Sequence, residues 1–307
     1  MEKKPKVAVI MSIYNGEKYL IEQIDSILKQ ERVEVDLHIF DDCSKDLSVE
    51  IAKEYEEKNK NVYVYINERN KNFTYNFIDG LFKFKDNDEY EYYAFSDQDD
   101  VWMSNKIISA IEKIKKVGMC TLYSSNLMIT NQELQTIRPY RDVRYYPKKH
   151  DEIRYNIVTG CTMVFDNEMK KVFTKHYPKN MEYHDHWFGL IANCVKNANY
   201  VYDPNPNFIL YRQHMKNASG DCKDVSFIKK IFQRTGKRET DFEKRKYLID
   251  LSGYILKEGY RELIEAFVNY KSLKNKVFLI KHCETTHKIR FCIGLLTNKY
   301  INKGVKK

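Results

Sequence analysis

The stretch KVAVIMSIYNGEKYLIEQIDSILKQ, residues 6–30, decides the fold. Its first half is an apolar run that ends in turn-forming residues, which predicts a buried strand over residues 6–15. Residues 17–30 repeat apolar side chains at helical spacing, which predicts an amphipathic helix. A buried strand followed at once by a helix is the first half of a βαβ unit, from which parallel sheets are built.

The same alternation continues through about the first hundred residues. Further strands are predicted over residues 35–42 and 62–66 and over the run that ends in YYAF, with helices between them. Ser44 is expected to cap the second of these helices. We therefore expect an α/β fold with a mostly parallel central sheet flanked by helices.

Three polar segments, SIYNG, DDCS and SDQDD, each follow a predicted strand. Ligands of open α/β sheets bind beyond the carboxyl ends of the strands, so we expect these segments to share one crevice.

The segment SDQDD, residues 96–100, brings three carboxylates together at the end of an apolar strand. Carboxylates this close repel one another, and oxygen ligands on a rigid strand end suit Mg²⁺ or Mn²⁺. Asp97 and Asp99 are expected to alternate along the strand and to face one side, while Asp100 bonds the backbone or a neighbour. The alternative is an acidic turn that caps the next helix.

Asp42, in the segment FDDCS, has two interpretations. As a carboxylate at a strand end in the same crevice, it is placed to accept N3–H of a pyrimidine base, on which Tyr14 could stack. Alternatively, Asp42 caps the helix that begins near Ser44.

The segment EYHDHWF places Asp185 between two histidines and just before Trp187. Histidines two positions apart cannot share one face of a helix, which argues against a zinc site here. Asp185 is interpreted as a general base at an aromatic, sugar-sized surface, with helix N-capping as the alternative.

The segment YRQHMKN ends another predicted strand and brings Arg212 and His214 to the crevice. Arg212 would supply a cation for a departing diphosphate, and His214 a possible imidazole ligand. The alternative is a histidine with a purely structural role.

Taken in order, these segments resemble the family 2 inverting glycosyltransferases with the GT-A fold. Within them, the sequence is most similar to the rhamnosyltransferase-type branch of bacterial polysaccharide assembly. The resemblance spans roughly residues 5–220 and rests on SIYNGEKYL, DDCS, FSDQDDVW, TGCTMVF, HDHW and YRQHMKN. It implies transfer of a sugar from a nucleotide-diphosphate donor, such as dTDP-rhamnose or a UDP-sugar, with inversion at the anomeric carbon.

The resemblance also implies roles for individual residues. Asp185 would be the catalytic base, and Asp99 and His214 would hold Mn²⁺ or Mg²⁺. The donor site would be formed by Ser12, Tyr14, Glu17, Asp42, Asn76, Asp97, Trp102 and Arg212. The acceptor would be bound by Gly160, Cys161, His184 and Trp187.

The sequence departs from the family pattern in two places. The base motif is His184-Asp185 rather than an acidic pair, so a two-carboxylate arrangement is not expected. The segment NERNKNFTYNF lacks the glycine-rich and Ala-Arg-Asn motif that is common elsewhere in the family. Lys71, Asn72 and Asn76 are therefore the candidates for the donor site in this segment.

Charge divides the chain into two predicted parts. From residue 223 onward there are 21 Lys and Arg against 9 Asp and Glu, although the whole chain carries only +9. We expect a catalytic domain over residues 1–222 and a basic helical extension over residues 223–307, which could bind an anionic membrane surface or form a homodimer. Such an enzyme would act on a glycan or lipid-linked glycan acceptor.

The seven cysteines have no Cys-x-x-Cys spacing, so neither a zinc ribbon nor a disulfide framework is indicated. The N-terminal apolar run is too short for a signal peptide. We therefore expect a cytoplasmic protein, with peripheral attachment to the inner face of the bacterial cytoplasmic membrane as the alternative.

Other function classes are open to the same residues. A sugar nucleotidyltransferase would also place carboxylates at strand ends, but it would need a glycine-rich phosphate loop, and SIYNGEKYL has only Gly16. A catalytically inactive homologue that binds nucleotide sugars is a further alternative. A nucleic-acid-binding protein would use the basic C-terminal segment but would not need the acidic crevice, so no nucleic-acid partner is expected.

Overall fold

The computed structural model describes residues 3–179, 181–214, 251, 253–286 and 288–296. Strand β1 (Lys6–Ile13) is at the centre of the architecture, and its residues from Val7 to Ile13 are all buried. A strand with both faces buried must be apolar throughout, which is why its sequence lacks the alternation of a half-exposed strand.

The described strands after β1 follow in chain order. They are β2 (Glu34–Asp41), β3 (Val62–Ile66), β4 (Tyr92–Ser96), β5 (Val101–Trp102), β6 (Thr121–Ser125), β7 (Met128–Thr130), β8 (Thr136–Pro139), β9 (Val164–Asp166), β10 (Asn199–Asp203) and β11 (Ile209–Arg212).

Within the described residues, a seven-stranded sheet has the order β10-β6-β9-β4-β1-β2-β3. Strand β1 pairs in parallel with β2 on one side and β4 on the other. Strand β9 runs antiparallel to both of its neighbours, β4 and β6. The expectation of a mostly parallel sheet is confirmed, with β9 as the exception.

A second sheet of four strands, in the order β5-β11-β7-β8, lies in the described part of the chain. Strand β11 pairs antiparallel with β5 and parallel with β7. Because β5 follows β4 after only four residues, this pairing brings the end of β11 to the carboxyl end of β4.

Helices cover the sheets. They are α1 (Leu20–Leu28), α2 (Ser48–Lys58), α3 (Asn72–Phe82), α4 (Lys106–Val117), α5 (Asp151–Arg154), α6 (Asn167–Phe173), α7 (His184–Cys194), α8 (Tyr260–Val268), α9 (Leu273–His282) and α10 (Lys288–Leu296). Helix α1 shows how they pack: its buried Leu20, Ile24 and Ile27 form the apolar stripe that the sequence predicts.

The C-terminal helices share a core with the catalytic part. Tyr260, Phe267, Leu279 and Phe291 belong to the same buried cluster as residues of α3 and α7. The predicted boundary at residue 222 lies outside the described residues, as do residues 223–250, 252, 287 and 297–307 of the predicted basic extension. Both remain predictions. Among the described helices, none is long and apolar enough to span a membrane.

Two local predictions are wrong. Helix α2 begins at Ser48, and Ser44 does not cap it; the Ser44 N–H instead bonds the Asp41 carboxylate at 3.1 Å. Strand β4 ends at Ser96, so Asp97 and Asp99 do not alternate on a strand. They belong to the turn that links β4 to β5.

Candidate active site

The turn of residues 97–100 lies at the carboxyl end of β4, beside the ends of β1 and β2. Asp99 Oδ2 is 2.8 Å from His214 Nε2, and their side chains are only 13% and 10% exposed. A carboxylate oxygen and an imidazole nitrogen in contact are a donor pair that suits Mn²⁺ or Mg²⁺ sites with remaining positions for water and phosphate. The residues present therefore fit the divalent cation that the sequence implies.

Asp97 adds negative charge to this site. Burial, together with the carboxylates of Asp99 and Asp185, raises the pKa of Asp97 to about 7. The three carboxylates thus act on one another across the crevice, and a cation would relieve that repulsion.

A second cluster of side chains that could act as metal ligands includes Asp97 and Asp100 of the turn. Among the described residues, ligand atoms of Asp97, Asp100 and Cys161 lie within 4.8 Å of one another. Burial and the two carboxylates raise the pKa of the Cys161 thiol well above its usual range, so the sulfur stays protonated. A protonated thiol is a poor ligand for Mg²⁺ or Mn²⁺, and we assign it instead as a donor to these carboxylates. Cys161 is fully buried, which corrects its predicted contact with an acceptor.

Arg212 holds the turn in place. Its Nε donates to the Asp99 carbonyl at 3.0 Å, and its backbone N–H donates to the Asp100 carboxylate at 3.3 Å. The guanidinium also contacts the carboxylate of Glu22 and the carbonyl of Gln132, and only 3% of the residue is exposed. The predicted contact with a departing diphosphate is therefore corrected to a positioning role.

The loop after β1 forms the opposite wall of the crevice. Tyr14 is 47% exposed, as a stacking platform for a base would be. Asn76, in α3, donates to Ser12 Oγ and to the Phe40 carbonyl, both at 2.7 Å. Asn76 is itself buried, so it joins the ends of β1 and β2 and orients Ser12.

Asp42 is buried at the end of β2. Its Oδ1 accepts the Lys71 N–H at 2.7 Å and the Asn67 amide at 3.1 Å, which fix the orientation of the carboxylate. Asp42 therefore makes no N-terminal cap for α2, and the alternative interpretation is excluded by α2 beginning at Ser48. The contact with a pyrimidine base remains a prediction.

Glu17, which is predicted to bind the donor, forms hydrogen bonds with the backbone near α2 instead. Its Oε2 accepts the Leu47 N–H at 2.9 Å, and its own N–H donates to Asp46 at 3.1 Å. These bonds tie the loop after β1 to the beginning of α2.

Asp185 lies in the first turn of α7 and is partly exposed. Its Oδ2 accepts the Gly160 N–H at 3.2 Å, and its Oδ1 accepts the His186 N–H at 2.7 Å. Burial raises the pKa of Asp185 to about 6, despite these hydrogen bonds. A carboxylate with a pKa near the operating pH is suited to general-base chemistry.

His184 and Gly160 support Asp185 from behind. The imidazole stacks on Phe77 at 4.2 Å between ring centroids, and burial lowers the pKa of His184 to about 3. A Cβ at position 160 would lie 2.7 Å from His184 Nε2, so only glycine fits here. Both residues are buried, which corrects their predicted contacts with an acceptor; Gly160 instead positions Asp185 through its N–H.

The two tryptophans do not face the crevice. Trp187 is 1% exposed, and its position two residues after Asp185 turns it to the other side of α7. Trp102 is also buried, and the Lys106 ammonium lies 3.4 Å from the centroid of its ring system. Their predicted roles at the acceptor and the donor sugar are corrected accordingly.

Sequence reasoning missed Gln98 and Lys106. Gln98 bonds the backbone of Tyr14, across 84 residues of sequence. Lys106 is buried beneath the acidic turn, and burial lowers its pKa to about 7. The one available indication was the position of Lys106 on the apolar stripe of α4, at helical spacing from Ile114.

Known proteins resemble this chain in sequence and in structure. The sequence model of the family described as Glycosyl transferase family 2 matches residues 8–173. The dTDP-rhamnosyl transferase RfbG of Shigella flexneri is 30% identical over 247 residues, which are 74% of this chain and 78% of RfbG.

Solved structures support the same fold. TarS 1-349 of S. aureus, in complex with UDP-GlcNAc, has a TM-score of 0.59 and 17% identity over 96% of this chain and 80% of TarS 1-349. The mannosyltransferase PcManGT of Pyrobaculum calidifontis, with GDP-Man and Mn²⁺, has a TM-score of 0.50 and 11% identity over 98% of this chain and 71% of PcManGT. The chain is a glycosyltransferase with the GT-A fold and belongs to glycosyl transferase family 2.

Proposed function

We propose that this protein is a metal-dependent inverting glycosyltransferase that moves a sugar from a pyrimidine nucleoside-diphosphate donor to a hydroxyl of a cell-surface glycan. The observation that carries the proposal is the closeness of Asp185 to the turn of residues 97–100. The Gly160 N–H donates to Asp185 Oδ2 at 3.2 Å, and the sulfur of the next residue, Cys161, lies within 4.8 Å of carboxylate oxygens of Asp97 and Asp100. This closeness of a proton acceptor and an acidic turn supports the proposal.

The reaction needs one displacement. Asp185 takes the proton from the acceptor hydroxyl, and the resulting oxygen forms its bond to the anomeric carbon as the bond to the diphosphate breaks. A single in-line displacement of this kind inverts the configuration at the anomeric carbon. The Gly160 N–H holds Asp185, and Arg212 holds the backbone of Asp99. A cation held by Asp99 and His214 would neutralise charge on the diphosphate.

The donor part of the proposal rests on Asp42 and Tyr14. The exposed ring of Tyr14 would stack on the base. Although Asp42 is only 1% exposed, its two hydrogen bonds from Lys71 and Asn67 go to Oδ1, so Oδ2 is the oxygen that would accept the N3–H of uracil or thymine. The likeness to a dTDP-rhamnosyl transferase and to a protein bound to UDP-GlcNAc supports a pyrimidine donor. We favour dTDP-rhamnose, with UDP-sugars as the alternative. The acceptor, a growing and lipid-linked glycan, is proposed from the sequence resemblance to the rhamnosyltransferase branch.

Nucleotide binding gives a direct test of the donor class. UDP, dTDP, GDP, CDP and ADP are each added to the protein with and without Mn²⁺, and the unfolding temperature is measured. We expect dTDP or UDP to raise it by several degrees only when Mn²⁺ is present, because ligand binding to the folded state stabilises it. Equal effects of all five nucleotides, or none, would contradict the proposed site.

The pH dependence of transfer tests the base. Only the ionised form of Asp185 accepts a proton, and its pKa is raised to about 6. We therefore expect kcat/KM to fall as pH is lowered through about 6, approaching tenfold per pH unit, and to level off above that value. Initial rates across pH 4.5 to 8, with circular dichroism at each pH as the control for folding, give the profile. An acidic limb near 4, the ordinary value for aspartate, would contradict the assignment.

A further inference from the structure

Gln98 bridges the acidic turn and the loop after β1. Its Oε1 accepts the Tyr14 N–H at 2.7 Å, and its Nε2 donates to the Tyr14 carbonyl at 3.1 Å. A side-chain amide that bonds both backbone groups of one residue acts as a neighbouring strand would, and it fixes the orientation of that residue. Gln98 lies between Asp97 and Asp99, so the group that holds Tyr14 moves with the carboxylates of the turn.

The contact is close enough to require glycine at position 16. A Cβ there would lie 2.5 Å from Gln98 Cδ, which no real contact of this kind allows. Any larger residue at position 16 would therefore displace the Gln98 side chain from Tyr14.

The same loop is also held by Ser44, which follows β2, and by Ser48, which begins α2, and neither belongs to the turn of residues 97–100. Ser44 Oγ accepts the Asn15 N–H at 3.0 Å, and Ser48 Oγ accepts the Gly16 N–H at 2.8 Å. The loop thus has two kinds of support, and the one from Gln98 comes from the turn that would hold the cation.

We propose that Gln98 is a positioning residue that couples cation binding to recognition of the nucleotide base. This inference rests on the proposed function, since it takes Asp99 as a cation ligand and Tyr14 as the base platform. Arg212 and Gln98 hold the turn as described, and a cation on Asp99 would hold it more firmly. Gln98 would then keep Tyr14 where the base would stack. Binding of the base then requires less ordering, and by linkage the base strengthens cation binding equally.

The test uses uridine and thymidine, because nucleosides lack the phosphates through which a cation would touch the ligand directly. Nucleoside affinity is measured by NMR titration with EDTA and again with saturating Mg²⁺. In the unaltered protein we expect Mg²⁺ to tighten binding of one nucleoside by about fivefold or more. Gln98→Met keeps the side-chain length but loses both hydrogen bonds. In this variant the affinity ratio, which is nucleoside affinity with Mg²⁺ divided by that with EDTA, is expected to fall to about one. The same fall is expected in Gly16→Ala.

Ser44→Ala is the matched control. It removes a hydrogen bond that holds the same loop from outside the turn of residues 97–100, so it should weaken nucleoside binding with and without Mg²⁺ and leave the ratio unchanged. A merely structural role for Gln98 would give the same pattern as Ser44→Ala. That result, or a ratio of one in the unaltered protein, would overturn the proposal.

Failure of the proposed function has a different outcome. If the unaltered protein binds neither dTDP nor UDP in the presence of Mg²⁺, the nucleotide site itself is wrong. If it binds one of them but Gln98→Met and Gly16→Ala retain the nucleoside ratio, only the coupling is wrong. Near-ultraviolet circular dichroism verifies that each variant is folded. If Gln98→Met does not fold, Gly16→Ala alone tests the coupling.

Discussion

Asp185→Asn is expected to lower the rate of sugar transfer by about 10²- to 10⁴-fold, the usual contribution of a general base. Asparagine has nearly the same shape, and its single oxygen can accept one of the two N–H groups, of Gly160 and His186, that the carboxylate binds. We therefore expect the side chain to stay close to its position while one of these hydrogen bonds is lost. Asparagine cannot take up the acceptor proton at neutral pH. The rate is measured as nucleoside diphosphate released per unit time with donor and acceptor at saturation.

The variant should bind the donor nucleotide as well as the unaltered protein does, which separates lost chemistry from lost binding. Asp86→Asn, at an exposed aspartate between α3 and β4, is the control for removing one carboxylate elsewhere. Transfer by Asp185→Asn within a few-fold of the unaltered rate would show that another group is the base.

Asp99→Asn is expected to remove the dependence of nucleotide binding on Mn²⁺. A cation on a diphosphate supplies several kcal/mol, and each 1.4 kcal/mol is tenfold in affinity. Affinity for dTDP or UDP with Mn²⁺ should therefore fall by about 10²-fold or more, to the value that calorimetry gives without the metal. The amide oxygen can still face His214, so the turn should keep its conformation.

Asp97→Asn provides the comparison for this variant. If the cation were held by the group of Asp97, Asp100 and Cys161, Asp97→Asn would abolish the Mn²⁺ effect and Asp99→Asn would not. That reversal would show that the cation is held by Asp97, Asp100 and Cys161, and it would contradict the assignment of Asp99 and His214 as its ligands.

The gathering of the site could be predicted from the sequence because strand order constrains it. SIYNG, DDCS and SDQDD follow strands that pair in parallel as neighbours, and the carboxyl ends of parallel strands meet at one edge of the sheet. Tyr14, Asp42 and Asp97 therefore lie together although up to 83 residues separate them along the chain. The antiparallel direction of β9 could not be predicted, since a strand of only three residues carries no indication of its direction.

Orientation of single side chains was harder to predict. Trp187 lies two residues after Asp185, and Arg212 lies two residues before His214. Because Asp185 and His214 are assigned to the crevice, the sequence predicts that Trp187 and Arg212 face it too. Helical phase puts Trp187 on the opposite side of α7 from Asp185, which the sequence alone could have indicated. Arg212 is different, because its partners Glu22, Asp99 and Gln132 come from three distant parts of the chain and no local pattern identifies them.

Gln98 was missed for a related reason. Its neighbours Asp97 and Asp99 directed the interpretation to carboxylates, while the contact that gives Gln98 a role depends on how β4 and β1 are paired. Such contacts become visible only when the fold is known.

Pulsed EPR of bound Mn²⁺ tests the central claim most directly, because it reports the nuclei around the ion. With dTDP or UDP added, we expect ³¹P coupling from the diphosphate and ¹⁴N coupling from His214, and the ¹⁴N coupling should be absent in His214→Ala. A spectrum of hydrated Mn²⁺ with neither coupling would contradict the metal–nucleotide crevice formed by Asp99 and His214.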